Sequence, residues 1–100
     1  MILEHLSFRV RAGGQSAFER DWLRLRAILN SNPHCLQVLL QRCVEDQTRY
    51  IARIEWDSVA GHMESFRGSA GYHQFLEIFN PHLSGSAEMV HFENVAPFGS

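Results

Sequence analysis

The chain has 100 residues, the length of one domain spanning 1–100, which is enough to bury a modest hydrophobic core. Hydrophobic residues make up 45% and charged residues 20%, a balance typical of globular proteins that excludes the disordered and fibrous classes. The formal net charge is -2 and no basic stripe occurs, which argues against a nucleic acid partner.

Lysine is absent from the sequence, and all nine basic residues are arginines, which excludes Schiff-base chemistry. No apolar run is long enough to span a membrane, and the N-terminus lacks the charge order of a signal peptide. Cys35 and Cys43 fall in one predicted strand, where their α-carbons would be roughly 26 Å apart, too far for a disulfide. We therefore predict a cytoplasmic protein with no membrane partner.

The first predicted element is a strand over residues 2–11. Its residues alternate with a period of two, which places Ile2, Glu4, Leu6, Phe8 and Val10 on one side. A helix follows from about Ser16, because apolar residues then recur at helical spacing, at Phe18, Trp22, Leu25 and Leu29. Residues 30–33 end this helix, since a helix is disfavoured just before a proline.

Residues 35–45 and 49–57 predict a second and a third strand, joined by a turn short enough for a hairpin. In the second strand we expect Leu36, Val38 and Leu40 on one side and Cys35, Leu39 and Cys43 on the other. From Ser58 the spacing is again helical, with Val59, His62, Met63 and Phe66 aligned. Ser69 is the predicted N-cap of a further helix whose stripe is Tyr72, Phe75, Leu76 and Phe79. A last strand, about 87–95, completes the order.

The resulting βαββαβ order predicts an α+β protein of the ferredoxin-like split type, with an antiparallel sheet and helices on one face. The opposite sheet face is too apolar for open water, so we expect a homodimer that pairs sheet against sheet. His5 and His91 are expected on that face, where they would form an interface pair.

Residues 49–79 contain the run RYIARIEWDSVAGHMESFRGSAGYHQF, which resembles the antibiotic biosynthesis monooxygenase family in its strand ending in E-W and its H-x-x-x-F-R-x-S motif followed by a tyrosine. The opening LEHLSFRVRAG, the LQRCVED hairpin and the closing AEMVHFENV resemble that family as well. The resemblance implies a dimeric α+β barrel with a pocket between the sheet and the helices.

The resemblance also bears on cofactors. Family members that oxidise anthrone-type polyphenols without metal or flavin line this pocket with an asparagine, a tryptophan and a tyrosine, at positions that here hold His62, Phe66 and Tyr72. Haem-degrading members use a tryptophan and a histidine ligand, which fall near Phe66 and Leu76 of this chain. Haem chemistry is therefore not expected, and neither a cofactor nor a metal is predicted, since the six histidines show no metal-site spacing.

His62 is our candidate base and Tyr72 a candidate hydrogen-bond donor, the two predicted catalytic residues. The predicted substrate-binding residues are Trp22, Phe66, Arg67, Phe75 and Phe79. Each has a structural alternative: His62 as a core-edge histidine, the aromatic residues as ordinary core, and Arg67 as the ion-pair partner of Glu64.

The sequence thus favours a cofactor-independent monooxygenase that oxidises an aromatic or quinol-type small molecule with dioxygen. The alternative is a non-enzymatic dimeric module of the same fold that binds small molecules. A third interpretation is an isomerase or a protein that handles reactive aldehydes or signalling quinones. No dinucleotide fingerprint, P-loop or nucleophile elbow indicates any other reaction.

Overall fold

The computed structural model describes residues 1–96 and contains a four-stranded sheet with helices packed on one face. The strands are β1 (Ile2–Arg9), β2 (Cys35–Arg42), β3 (Arg49–Trp56) and β4 (Glu88–Glu93). The helices are α1 (Gln15–Asn30), a π-helical segment (Gly61–Phe66), α2 (Ala70–Phe79) and a short 3-10 turn (Asn80–His82). The predicted domain also includes residues 97–100, which lie outside the described residues.

The sheet order is β2-β3-β1-β4, and every pairing is antiparallel. The chain order of strands and helices is the βαββαβ arrangement expected from the sequence, so the predicted ferredoxin-like α+β fold is confirmed. Because β1 and β3 occupy the centre, their helix-facing side chains form the middle of the core.

The alternation predicted for β1 is present. Glu4, Leu6 and Phe8 face the helices and are buried, and Val10 continues this side just beyond the strand. Aromatic and aliphatic residues of both layers complete a single core cluster: Phe18, Trp22, Leu25, Leu29, Tyr50, Ala52, Ile54, Trp56, Phe66, Phe75 and Phe79. A charged residue, Glu4, therefore lies on an otherwise apolar face.

The alternation predicted for β2 is wrong at its start. The register against β3 shifts between Cys35 and Gln37, which is a β-bulge. One extra residue moves the following side chains to the other face. Cys35 therefore packs against the core, while Leu36 is 54% exposed instead of lying with Val38 and Leu40.

The helices after β3 differ from expectation in their first part only. Ser69 caps α2 as predicted, because its Oγ accepts a hydrogen bond from the backbone N–H of Tyr72 at 3.3 Å. The preceding segment is π-helical rather than α-helical, and the predicted stripe is narrower: Val59 and Met63 are exposed. Within residues 1–96 no helix combines the length and the apolar character that crossing a membrane would require.

Candidate functional site

A cavity of about 200 Å³ lies between the sheet and the helices. Its titratable lining residues are Glu4, His62, Arg67 and Tyr72, and three phenylalanines form flat apolar walls: Phe66, Phe75 and Phe79. A wider and more open depression of about 450 Å³ lies near the β2–β3 hairpin, bordered by Glu19, Arg42 and Tyr50. We regard the smaller cavity as the candidate site, because it adjoins the buried acid-base groups described next.

The π-helical segment positions two of the lining residues. The backbone N–H of Arg67 donates to the carbonyl oxygen of His62 at 3.1 Å, the i→i−5 bond that defines a π turn. His62 and Phe66, four residues apart, are both buried by this turn. Single π turns within helices occur frequently at functional sites.

Gly61 allows this segment to approach the end of β3 closely. A β-carbon at this position would lie 2.6 Å from Asp57 Oδ1 and 2.7 Å from the β-carbon of His34. Both neighbours are held in place, because His34 Nδ1 and Asp57 Oδ2 are 2.7 Å apart. Glycine is thus required for His62 to reach the sheet.

His62 contacts a carboxylate and an indole. Its Nε2 lies 3.2 Å from Glu4 Oε1, and the same oxygen accepts a hydrogen bond from Trp56 Nε1 at 3.0 Å. The His62 ring also stacks on the Trp56 ring, with centroids 4.7 Å apart and planes 17° apart. His62 and Glu4 are only 2% and 5% exposed, so this is a nearly dry polar cluster.

The other ring nitrogen of His62 has a histidine as its hydrogen-bond partner. Its Nδ1 is hydrogen-bonded to Nε2 of His91 at 2.8 Å. The prediction that His91 faces a partner sheet together with His5 is therefore wrong. In the β1–β4 register Glu4 is opposite His91 and His5 is opposite Val90, so the two histidines lie on opposite faces of the sheet.

Burial shifts the pKa values of Glu4 and His62 in opposite directions. It raises the pKa of the Glu4 carboxyl to about 7, although the Trp56 hydrogen bond and the charge of Arg67 both lower it. Burial lowers the pKa of the His62 imidazole to about 4, helped by the neighbouring His91 and Arg67. Their 3.2 Å contact therefore joins a neutral imidazole to a carboxyl group that is partly protonated at neutral pH, and it is not a standing ion pair.

The remaining lining residues form an aromatic wall with one cation. The Phe66 ring makes edge contacts with Tyr72 at 5.6 Å and with Phe75 at 6.2 Å between centroids. The guanidinium carbon of Arg67 lies 5.5 Å from the centre of the Tyr72 ring. Among residues 1–96 the buried Arg67 Nε has no hydrogen-bond partner, and the alternative ion pair of Arg67 with Glu64 does not form.

The cavity brings together six of the seven predicted site residues: His62, Phe66, Arg67, Tyr72, Phe75 and Phe79. Trp22 does not line it. This side chain is buried on α1 and packs against Phe18, at 6.1 Å between ring centroids, so the aromatic stripe of α1 is core.

Sequence reasoning missed Glu4 and His91. Glu4 could have been noticed, because a carboxylate on the apolar side of a predicted central strand must be paired or protonated. His91 gave no such signal, since its position beside His62 depends on the strand register. No group of three His, Cys, Asp or Glu side chains within residues 1–96 is arranged to hold a metal ion.

Comparisons with known proteins agree with this architecture. The profile of the family described as antibiotic biosynthesis monooxygenase matches residues 1–78. A Bordetella bronchiseptica structure named for the same family has 26% identity and a TM-score of 0.89, covering 94% of this chain and 96% of that one.

Two further relatives show the breadth of the similarity. SnoaB, a cofactor-independent oxygenase from Streptomyces nogalater, has 17% identity and a TM-score of 0.81, with 96% of each chain covered. An uncharacterised Bacillus subtilis protein, YczJ, is 23% identical over 95 residues, which cover 95% of this chain and all of the relative. At 17% identity, the similarity to SnoaB shows a shared fold and nothing more.

Proposed function

We propose that this chain, which belongs to the antibiotic biosynthesis monooxygenase family, oxidises an aromatic or quinol-type small molecule with dioxygen and without a cofactor. The observation that supports this most is the buried acid-base cluster around His62 at the edge of a cavity with flat aromatic walls. SnoaB, a cofactor-independent oxygenase, is an example of this fold carrying out a reaction of that class.

The reaction needs only a base and a dry slot. Removing a proton from an anthrone or quinol gives an electron-rich anion, which transfers one electron to dioxygen and then combines with the reduced oxygen to form a peroxide. Loss of water from the peroxide leaves a new carbonyl group. One oxygen atom enters the product and the other leaves as water, and the substrate supplies all the electrons.

The lining residues have separate roles in this proposal. His62, with its carboxyl and imidazole neighbours, provides the acid-base function at the substrate oxygen. Tyr72 donates a hydrogen bond to the developing oxyanion, and Arg67 stabilises the same negative charge. Phe66, Phe75 and Phe79 bind the flat ring and exclude water.

Oxygen uptake by metal-free and flavin-free protein tests the proposal. With a panel of hydroquinones and anthrones in the presence of a chelator, we expect uptake that falls about 100-fold or more in His62→Ala. His73→Ala is the matched control, because His73 is exposed on α2, and it should retain wild-type uptake. Full activity in His62→Ala would refute the assignment of the base.

A binding module is the second candidate function. The cavity of about 200 Å³ is smaller than the roughly 300–1,000 Å³ of most ligand sites, which favours a small ligand or a pocket filled by its own rings. A binding module would show saturable quenching of Trp56 fluorescence without oxygen uptake, because Trp56 stacks directly on His62.

We further propose a cytoplasmic homodimer. Cys35 and Cys43 are both free, as expected in a reducing compartment. The sheet face opposite the helices exposes large apolar side chains at Leu39, Val90 and Phe92, which pairing with a second copy would cover.

A further inference from the structure

Arg67 has no anionic partner within residues 1–96, because none of the ion pairs formed by these residues includes it. The side chain lines the cavity and is half-buried, and in this part of the chain its buried Nε–H group has no hydrogen-bond acceptor. Burying a donor without an acceptor costs free energy, and most such groups in native proteins are paired with protein, water or ligand. The guanidinium of Arg67 is therefore available to bind an anion.

The titratable neighbours of Arg67 leave most of its charge unbalanced. The charge of Arg67 lowers the pKa of Glu4, but burial outweighs this effect and raises it to about 7, so the carboxyl group is partly protonated at neutral pH. Burial lowers the pKa of His62 to about 4, so this ring is neutral. Tyr72 presents only the face of its ring, 5.5 Å from the guanidinium carbon. A neutral ligand would leave this cation without an anion.

The volume of the cavity limits its ligand to one aromatic ring. In another protein, an apolar cavity of about 150 Å³ holds one benzene molecule. The cavity between the sheet and the helices has about 200 Å³ and flat walls formed by Phe66, Phe75 and Phe79. The difference leaves room for one or two small substituents, such as a hydroxyl group and a carboxylate, and excludes a second and a third fused ring.

We infer that the cavity binds a one-ring aromatic acid, a phenol or quinol that carries a carboxylate, and that Arg67 binds this carboxylate. The inference rests on the proposed function and names its substrate class. Arginine presents its N–H groups as a planar fork that matches a carboxylate through two parallel hydrogen bonds. If a hydroxyl group is next to the carboxylate on the ring, a further N–H group of the same guanidinium is available for the phenolic oxygen. Arg67 then keeps its proposed role at the developing negative charge.

Glu4 is compatible with an anionic ligand in the same cavity. Two carboxylates that share a site do not both ionise readily, so the bound acid would hold Glu4 in its protonated form. Burial already favours that form by raising the pKa of Glu4 to about 7. The bound carboxylate then has Arg67 as its counter-ion and a neutral carboxyl group as its neighbour.

Calorimetric titration in oxygen-free buffer tests the inference on the wild-type protein. Salicylate and salicylamide share the ring and the hydroxyl group and are similar in size, but only salicylate carries a negative charge. We expect salicylate to bind about tenfold more tightly or better, because its hydrogen bonds to Arg67 are charge-assisted. Anthracene carboxylate has the same charge on three rings and should not bind. Equal affinity for salicylate and salicylamide would overturn the inference, and tight binding of the three-ring acid would overturn its limit to one ring.

Arg67→Gln removes the cation, and Arg26→Gln is the matched control. Arg26 is exposed on α1, so its replacement makes the same change in net charge away from the cavity. In Arg67→Gln we expect salicylate to bind about tenfold more weakly and salicylamide to bind as in the wild type. Arg26→Gln should bind both ligands as the wild type does. An equal loss of salicylate affinity in both variants would show that net charge, and not Arg67, selects the acid.

Oxygen uptake in air separates this inference from the proposed function. Gentisate is a quinol with a carboxylate beside one hydroxyl group, and we expect its KM to be about tenfold lower than that of hydroquinone, which has no carboxylate. If salicylate is preferred over salicylamide but neither quinol is oxidised, the proposed function fails and the carboxylate-binding role of Arg67 stands. If both quinols are oxidised with equal KM and salicylate is not preferred, the proposed function stands and this inference fails.

Discussion

The side chains of Glu4 and His62 exchange a proton when the protein unfolds. Between about pH 4.5 and 6.5 the unfolded chain carries the proton on the histidine, since the ordinary pKa values are 4.5 for Glu and 6.5 for His. In the folded protein the proton is on Glu4, because burial raises its pKa to about 7 and lowers that of His62 to about 4. The pair binds one proton in both states, so it adds almost no pH dependence to the free energy of unfolding.

Replacing either Glu4 or His62 should make the free energy of unfolding depend on pH through the residue that remains. In Glu4→Gln the remaining His62 binds fewer protons when folded than when unfolded, so stability should rise with pH between about 4 and 6.5. In His62→Gln the remaining Glu4 binds more protons in the folded than in the unfolded state. Stability should therefore fall as the pH rises from about 4.5 to 7. Across each pH range the free energy of unfolding of the variant should change by about 3 kcal/mol relative to that of the wild type. Urea unfolding at several pH values measures this change.

Parallel pH curves for both variants and the wild type would contradict this coupled burial. His73→Gln serves as the control, because this exposed histidine should leave the curve unchanged.

The residues around His62 show how much of the candidate site could be predicted from the sequence. His62 was identifiable from its motif and its helical stripe, whereas its link to His91 depends on which residue of β4 pairs with Glu4.

Among the elements, the π-helical segment depends most on one position. In Gly61→Ala the new methyl group would overlap Asp57 and the β-carbon of His34, which are fixed by their own contact. We expect a loss of about 2 kcal/mol in the free energy of unfolding, seen as a melting temperature lower by about 10 °C. The Trp56–His62 stack should loosen with it and change the Trp56 fluorescence.

Gly71→Ala is the matched control within the neighbouring helix. Its β-carbon would meet Ile28 Cγ2 at 3.4 Å, an ordinary contact, and alanine favours helix over glycine. This variant should be as stable as the wild type or slightly more stable. Equal behaviour of the two variants would show that the close approach at Gly61 does not position the segment.

Periodicity predicted every strand and both α-helices, because each has one buried face. It could not predict the bulge in β2, since Cys35 and Leu36 are both acceptable on an apolar face and only pairing with β3 separates them. It also could not distinguish a π turn from an α turn. Residues 59–66 fit either spacing, and the choice between a π turn and an α turn depends on packing around Gly61.

For the whole molecule, the uncovered sheet face makes the most general prediction. Phe92 is 53% exposed and lies beside His5, with ring centroids 5.9 Å apart. If two copies pair through this face, Phe92→Glu should convert a dimer into a folded monomer, because a charge would be buried at the interface. Sedimentation together with circular dichroism measures both properties.

Val95→Glu is the control for that variant, since Val95 is exposed but lies beyond the end of β4. It should leave the mass of the assembly unchanged. A wild-type protein that is monomeric at micromolar concentration would contradict the proposed pairing, although it would leave the cavity and the acid-base cluster unaffected.

The central claim is that the cavity beside Glu4 and His62 carries out oxidation with dioxygen rather than binding alone. The most direct measurement is mass spectrometry of the product formed under isotopically labelled dioxygen by protein freed of metal and flavin. The account predicts one labelled oxygen atom in each product molecule and a yield of labelled product about 100-fold lower in His62→Ala. Saturable binding of hydroquinones and anthrones, without any labelled product, would contradict it.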